Sequence, residues 1–172
     1  MRRIAISLCV ISAFAGCLPA ADPPLRTAAG MELPKYMGQW YEVARLANRF
    51  QKSCVSATLI KYSLRPDGKF DLYNECKDSK GKLVTSTAVG RKADPQGPDS
   101  RMKVTFLRPF SADYWVIDLD QDYKWAMTGQ PSRDYLWILS REPKIDESLY
   151  ERLVEAAKSL GFDTSKLIRT IN

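Results

Sequence analysis

From Thr58 to Ser140 the chain consists of short runs in which apolar and polar residues alternate, and this period of two limits the fold more than any other feature. Thr58, Ile60, Tyr62 and Leu64 alternate with Lys61, Ser63 and Arg65. After the turn sequence Arg65-Pro-Asp-Gly68, Phe70, Leu72, Asn74 and Cys76 alternate with Asp71, Tyr73 and Glu75. A strand from Leu83 to Arg91 follows the Ser79-Lys-Gly81 turn, and Met102, Val104 and Phe106 then alternate with Arg101, Lys103 and Thr105. Tyr114 to Asp120 is apolar at nearly every position, which predicts cover on its outer side by a helix or a partner subunit. With the run that begins at Gly38, and with Tyr123–Thr128 and Tyr135–Ser140, the strands number eight. Such spacing predicts an antiparallel sandwich or barrel. A helical pattern appears only after them: Asp146 stands at the cap, Leu149, Leu153, Ala156 and Leu160 share a face, and Gly161 ends it.

The first residues have a different character. Arg2 and Arg3 precede an apolar stretch, Ile4 to Phe14, that is too short to span a bilayer. Phe14-Ala15-Gly16-Cys17 resembles a lipobox, with Phe14 where leucine is usual, and this predicts cleavage before an acylated Cys17. The expected organisation is a signal peptide over 1–16, the acylated cysteine and a flexible tether over 17–32, and one folded domain over 33–172. Leu18, where an aspartate would favour retention at the inner membrane, points to the outer membrane and its periplasmic face. Cys9 leaves with the leader, so Cys54 and Cys76 are the remaining thiols. An oxidising compartment makes a disulfide between them the default. Both have the parity of the apolar face, a geometric precondition for bridging them.

The formal charge of +6 falls by two once Arg2 and Arg3 are removed, and lysines and arginines are dispersed among acids. Neither a basic patch nor the compartment suits nucleic acid. The chain has no histidine, which removes histidine-based triads, histidine-ligated haem and most zinc-hydrolase chemistry. Asp118 and Asp120 form a carboxylate pair on one strand face without a defined partner. No metal, cofactor or catalytic residue is expected.

The run Leu33-Pro-Lys-Tyr-Met-Gly-Gln-Trp-Tyr-Glu-Val-Ala-Arg45 contains Gly38-x-Trp40, and Asp134-Tyr-Leu-Trp-Ile-Leu-Ser-Arg141 ends in arginine. On these motifs the sequence resembles the lipocalin family, and within it the bacterial outer-membrane lipoprotein lipocalins of the apolipoprotein D-like branch. Asp120-Gln-Asp-Tyr123 is similar to the family's second motif, a turn, in altered form. The resemblance runs from about Leu33 to the end. It implies an eight-stranded up-and-down β-barrel with one C-terminal helix packed outside, in which Arg141 lies across Trp40 at the closed end and Gly38 allows the approach. These three identify the fold and do not contact ligand.

The resemblance further implies a ligand site on the inward face near the open end, with Asn74, Phe106, Tyr114 and Trp137 at family pocket positions. Parity independently places Ile60, Tyr62, Leu72 and Val104 on that wall, where each aliphatic can equally be core filling. Asn74 differs, because an amide among apolar neighbours needs a partner. Lys92 and Asp118 replace small residues of the family pattern. Facing inward they would form a charged pair or a headgroup clamp, with Lys92 suited to a carboxylate or phosphate; turned out by a bulge they are surface.

The function this implies is a membrane-anchored carrier that stores or transfers a fatty acid, lysophospholipid or similar amphiphile. The alternatives are a structural envelope lipoprotein with a filled barrel and, further off, a lipocalin-type enzyme. Trp115 and Ile117, outward-facing and apolar, permit a homodimer.

Overall fold

The β-branched and aromatic residues of the alternating runs suit a pleated surface with one wet and one dry face, and each run forms a strand. The computed structural model describes residues 23–172; the leader and Cys17 lie outside the described residues. A short helix, α1 (Leu33–Tyr36), precedes β1 (Gly38–Leu46), β2 (Ser56–Leu64), β3 (Phe70–Lys77) and β4 (Leu83–Lys92). Next come β5 (Arg101–Leu107), β6 (Phe110–Leu119), β7 (Trp125–Gly129) and β8 (Leu136–Ser140). Each strand pairs antiparallel with the next, and β1 pairs with both β2 and β8, which closes the barrel. The helix α2 (Glu147–Ser159) follows, and after one 3-10 turn β9 (Leu167–Arg169) returns to β1.

Two of these elements were not expected. α1 forms where the sequence pattern shows no helix, and its buried Leu33 and Tyr36 plug the end of the barrel. β9 takes the edge of β1 that β2 vacates: β2 pairs with Gly38–Tyr41, and β9 with Ala44–Leu46. The Ala57 amide then donates to the Ile171 carbonyl at 2.7 Å, so β9 and the residues just beyond it bridge the seam between β1 and β2. The stretch over 17–32, expected as a tether, is packed in its second half. Leu25 and Met31 are buried, and the Ala28 amide donates to the Val116 carbonyl at 2.9 Å.

Burial occurs in two layers. Inside the barrel Trp40, Ile60, Tyr62, Phe70, Leu72, Met102, Val104 and Tyr114 pack together. Gly90 belongs to this layer for a steric reason. A Cβ there would stand 2.0 Å from the Phe70 ring, so only glycine lets that buried ring lie flat on β4. Outside, Leu153 and Ala157 of α2 cover Val43, Ile117, Met127 and Ile138, together with Leu25 and Phe162. β1, β7 and β8 are therefore dry on both faces, which is why their residues do not alternate cleanly. Asp146 holds the N-cap position of α2 without a side-chain cap hydrogen bond.

The face thought to permit a homodimer is largely covered within the chain. Ile117 is buried in the outer layer, and the Arg101 guanidinium lies 4.8 Å from the centre of the Trp115 ring. Cys54 and Cys76 are joined by a disulfide with Cα atoms 5.5 Å apart, tying the β1–β2 loop to the wall at β3. The Cys54→Ser/Cys76→Ser variant is expected to lose about 3 kcal/mol by the chain-entropy account of a loop this size. Urea denaturation of the variant, and of the parent with and without reductant, measures the loss.

Candidate functional site

The β1–β2, β3–β4, β5–β6 and β7–β8 loops surround one end of the barrel, while α1 and the Gly38 motif shut the other. At the closed end the Arg141 guanidinium lies 3.8 Å from the centre of the Trp40 ring. Its Nη1 donates to the Gln39 carbonyl at 2.8 Å and its Nη2 to the Lys35 carbonyl at 3.0 Å. The Trp40 indole donates to the Tyr36 carbonyl at 2.8 Å. Gly38 has φ +95°, and a Cβ on it would meet Arg141 Nη1 at 3.3 Å, so the motif needs glycine for backbone conformation and for space.

Above this floor is a cavity of about 140 Å³. Ile60, Tyr62, Leu72, Asn74, Val104, Phe106, Tyr114 and Trp137, the eight positions expected from parity and resemblance, all line it. Polar and aromatic liners additional to that set include Phe50, Gln51, Thr58, Ser86 and Gln130, with the carboxylates of Glu75 and Asp113. Ser86 was accessible to register reasoning, since it stands opposite Asn74. Phe50, Gln51 and Gln130 lie on loops, where no periodicity marks them.

Polarity changes with depth. Deep in the cavity the walls are Ile60, Leu72 and Val104, with a buried tyrosine cluster below. Tyr62 and Tyr114 share a hydrogen bond of 2.6 Å, and the Tyr36 and Tyr62 rings are 5.3 Å apart. Burial is the main cause that raises the pKa of all three phenols, so they are uncharged at neutral pH. Nearer the mouth are Asn74, Ser86, Thr58 and Gln51. The Asn74 amide donates to Ser86 Oγ at 3.3 Å, a long bond that leaves the amide carbonyl free to accept. Thr58 is 2 % exposed, and its hydroxyl has no hydrogen-bond partner among the described residues.

The β1–β2 loop reaches over this mouth and is held by a buried charge pair. Gln51 Oε1 accepts from the Trp137 indole at 2.8 Å, and Gln51 Nε2 donates to Glu42 Oε2 at 2.7 Å. Glu42 Oε1 accepts from Arg45 Nη1 at 2.6 Å and from the Thr170 hydroxyl at 2.5 Å. Arg45 Nη2 donates to the Cys54 carbonyl at 2.8 Å. Phe50 stacks on Phe106 with ring centres 6.3 Å apart.

The charged clamp considered for Lys92 and Asp118 does not form. Lys92 lies near the closed end, where its ammonium pairs with Asp99 at 2.9 Å. A register shift between Val116 and Asp118 breaks the parity of β6, and the Asp118 carboxylate accepts the Leu119 amide. Neither residue lines the cavity, and among the described residues neither does any lysine or arginine.

Eight antiparallel strands closed around an apolar cavity with a polar mouth define a barrel built to bind a ligand within it. The chain belongs to the lipocalin family. The family profile described as a Lipocalin-like domain matches residues 31–172. Over 153 residues the chain is 40% identical to temperature-induced lipocalin-1 of Arabidopsis thaliana, covering 85% of this chain and 82% of that one. It is 34% identical to the outer membrane lipoprotein Blc of Escherichia coli K12 over 98% of this chain and 96% of that one. Among solved structures, insecticyanin from the tobacco hornworm superposes with a TM-score of 0.65 at 20% identity, covering 90% of this chain and 88% of that one.

Proposed function

We propose that this lipocalin is a membrane-anchored carrier that stores or transfers single-chain amphiphiles, such as fatty acids or lysophospholipids, in the cell envelope. The observation that carries the reading is the polarity gradient of the cavity. An acyl chain would lie against Ile60, Leu72, Val104, Tyr62 and Tyr114, where each methylene removed from water contributes about 0.8 kcal/mol. The headgroup would remain beside Asn74, Ser86, Thr58 and Gln51, whose neutral donors and acceptors accept several chemistries. Trp137 closes one wall and is the aromatic contact for the upper chain.

In this reading residues 1–16 are a signal peptide, Cys17 carries the lipid, and the domain from Leu33 onward faces the periplasm from the outer membrane. The lipobox-like run and Leu18 support that placement, as does similarity along nearly the whole chain to relatives named outer membrane lipoproteins. Several acyl groups on one cysteine make such anchoring effectively stable.

Native mass spectrometry and lipid extraction on the mature protein test the proposal, followed by titration calorimetry after delipidation. One acyl lipid per chain is expected, with affinity reduced about tenfold or more in Trp137→Ala through lost apolar contact. Absence of bound lipid together with no saturable titration would overturn it in favour of a structural lipoprotein.

A further inference from the structure

Apart from Ile171 on the C-terminal segment, the most exposed large apolar side chains gather at the mouth. Leu107 is 72% exposed, Phe110 73% and Phe50 57%. They come from the β5–β6 hairpin and the β1–β2 loop, which the Phe50–Phe106 stack brings together. Arg49, Lys52 and Arg108 flank them in the sequence, and none of the three makes an ion pair among the described residues. Arg49 lies over the Phe50 ring at 4.9 Å. Apolar side chains ringed by cations are what an anionic lipid surface accepts: the former enter the acyl region, the latter stay at phosphate depth.

The course of the N-terminal segment leads to the same end independently. The Pro23 carbonyl accepts from Arg133 Nη2 at 2.6 Å. Arg133 belongs to the β7–β8 loop, the same mouth loop that supplies Gln130 to the cavity. From Pro23 the chain passes Val116 on the outside of the barrel and reaches α1 at the closed end. Cys17 is six residues before Pro23, a reach of at most about 20 Å. Strands of nine or ten tilted residues make the barrel roughly 25 Å tall. An acyl group carried on Cys17 would therefore be held within that reach of the mouth, a distance shorter than the barrel is tall.

We infer that the mouth is a membrane-docking surface, with Phe50, Leu107 and Phe110 inserted in the bilayer and Arg49, Lys52 and Arg108 on anionic headgroups. The cavity then opens directly onto the lipid, so a ligand passes between bilayer and barrel without crossing water. This inference rests on the anchored reading above and adds its orientation.

The test uses the full acylated protein in phosphatidylethanolamine–phosphatidylglycerol vesicles, with a fluorophore on Leu107→Cys or, on the closed-end β2–β3 turn, on Asp67→Cys. Nitroxide-bearing lipid should quench the first label and leave the second unchanged. Equal quenching, or none at Leu107, would overturn the inference. So would concentration-dependent cross-linking between two Leu107→Cys chains, since it would make the mouth an interface between copies. In a second arm, the Leu107→Asp/Phe110→Asp variant should keep its affinity for ligand in detergent solution, because neither residue lines the cavity. Its rate of lipid uptake from vesicles should fall about tenfold or more, and an unchanged rate would count against docking. If delipidated protein binds no ligand while Leu107 is still quenched, the carrier reading fails and the docking surface stands.

Discussion

Replacing Arg45 by methionine is expected to destabilise the protein by about 3–5 kcal/mol, the usual cost of leaving a buried charge without its partner. The Glu42 side chain is fully buried and that of Arg45 is 7% exposed, so water cannot take the place of the lost guanidinium. The same substitution leaves the Cys54 carbonyl without the donor from Arg45 Nη2. The effect extends to the site, because the Glu42 carboxylate also orients Gln51, and Gln51 orients Trp137. Ligand affinity should therefore fall even under conditions where the variant remains folded. Denaturant unfolding gives the stability change, and titration below the unfolding transition gives the affinity. A Glu42→Leu/Arg45→Met double variant should be less destabilised than the sum of its single changes, since removing both charges removes the unpaired one. Strict additivity would show that the pair is not coupled.

The second large effect is expected at the closed end. Trp40→Ala should cost about 3–5 kcal/mol, as for other fully buried aromatics. Trp40 is 0% exposed and packs against the Tyr36 ring with centres 5.0 Å apart. Arg141→Ala acts differently, since it deprives the Gln39 and Lys35 carbonyls of their donor as well as removing the guanidinium from the indole. The double-mutant cycle isolates the cation–π contribution, expected at about 1–2 kcal/mol for a partly desolvated pair. Thermal unfolding of the four proteins supplies the cycle. A coupling near zero would mean that Arg141 works through its backbone hydrogen bonds alone. Because the motif lies below the cavity, Arg141→Ala should change stability with little change in ligand affinity.

Much of the cavity was legible in the alternation of β2 and β3. Ile60, Tyr62, Leu72 and Asn74 point inward because closing a sheet turns odd and even positions into outside and inside, whatever the detailed register. The same rule left Lys92 and Asp118 open, because depth and bulges lie outside it. Lys92 has inward parity but sits at the closed end, since parity says nothing of depth along the barrel axis. At Asp118 a bulge shifts the count by one residue. Leu64 shares the face of Tyr62 yet is 45% exposed, because β2 runs past the core there.

Residues whose partners are distant in sequence were not legible. Glu42 and Thr170 are 128 residues apart, and nothing local to either says that a carboxylate will be buried beside a hydroxyl and a guanidinium. β9 is three residues long, too short to show a period, and forms only because β1 offers an edge that β2 has left. The mouth loops that bring Phe50 and Gln51 over the cavity have no repeat to read. The sequence by itself determined the strand pattern, the inward face and the closing Gly38–Trp40–Arg141 motif, because these depend on local alternation and a few characteristic residues. The depth of each side chain, the charge pair behind Gln51 and the apolar rim were decided only by tertiary structure, because each depends on which distant segments closure of the barrel brings together.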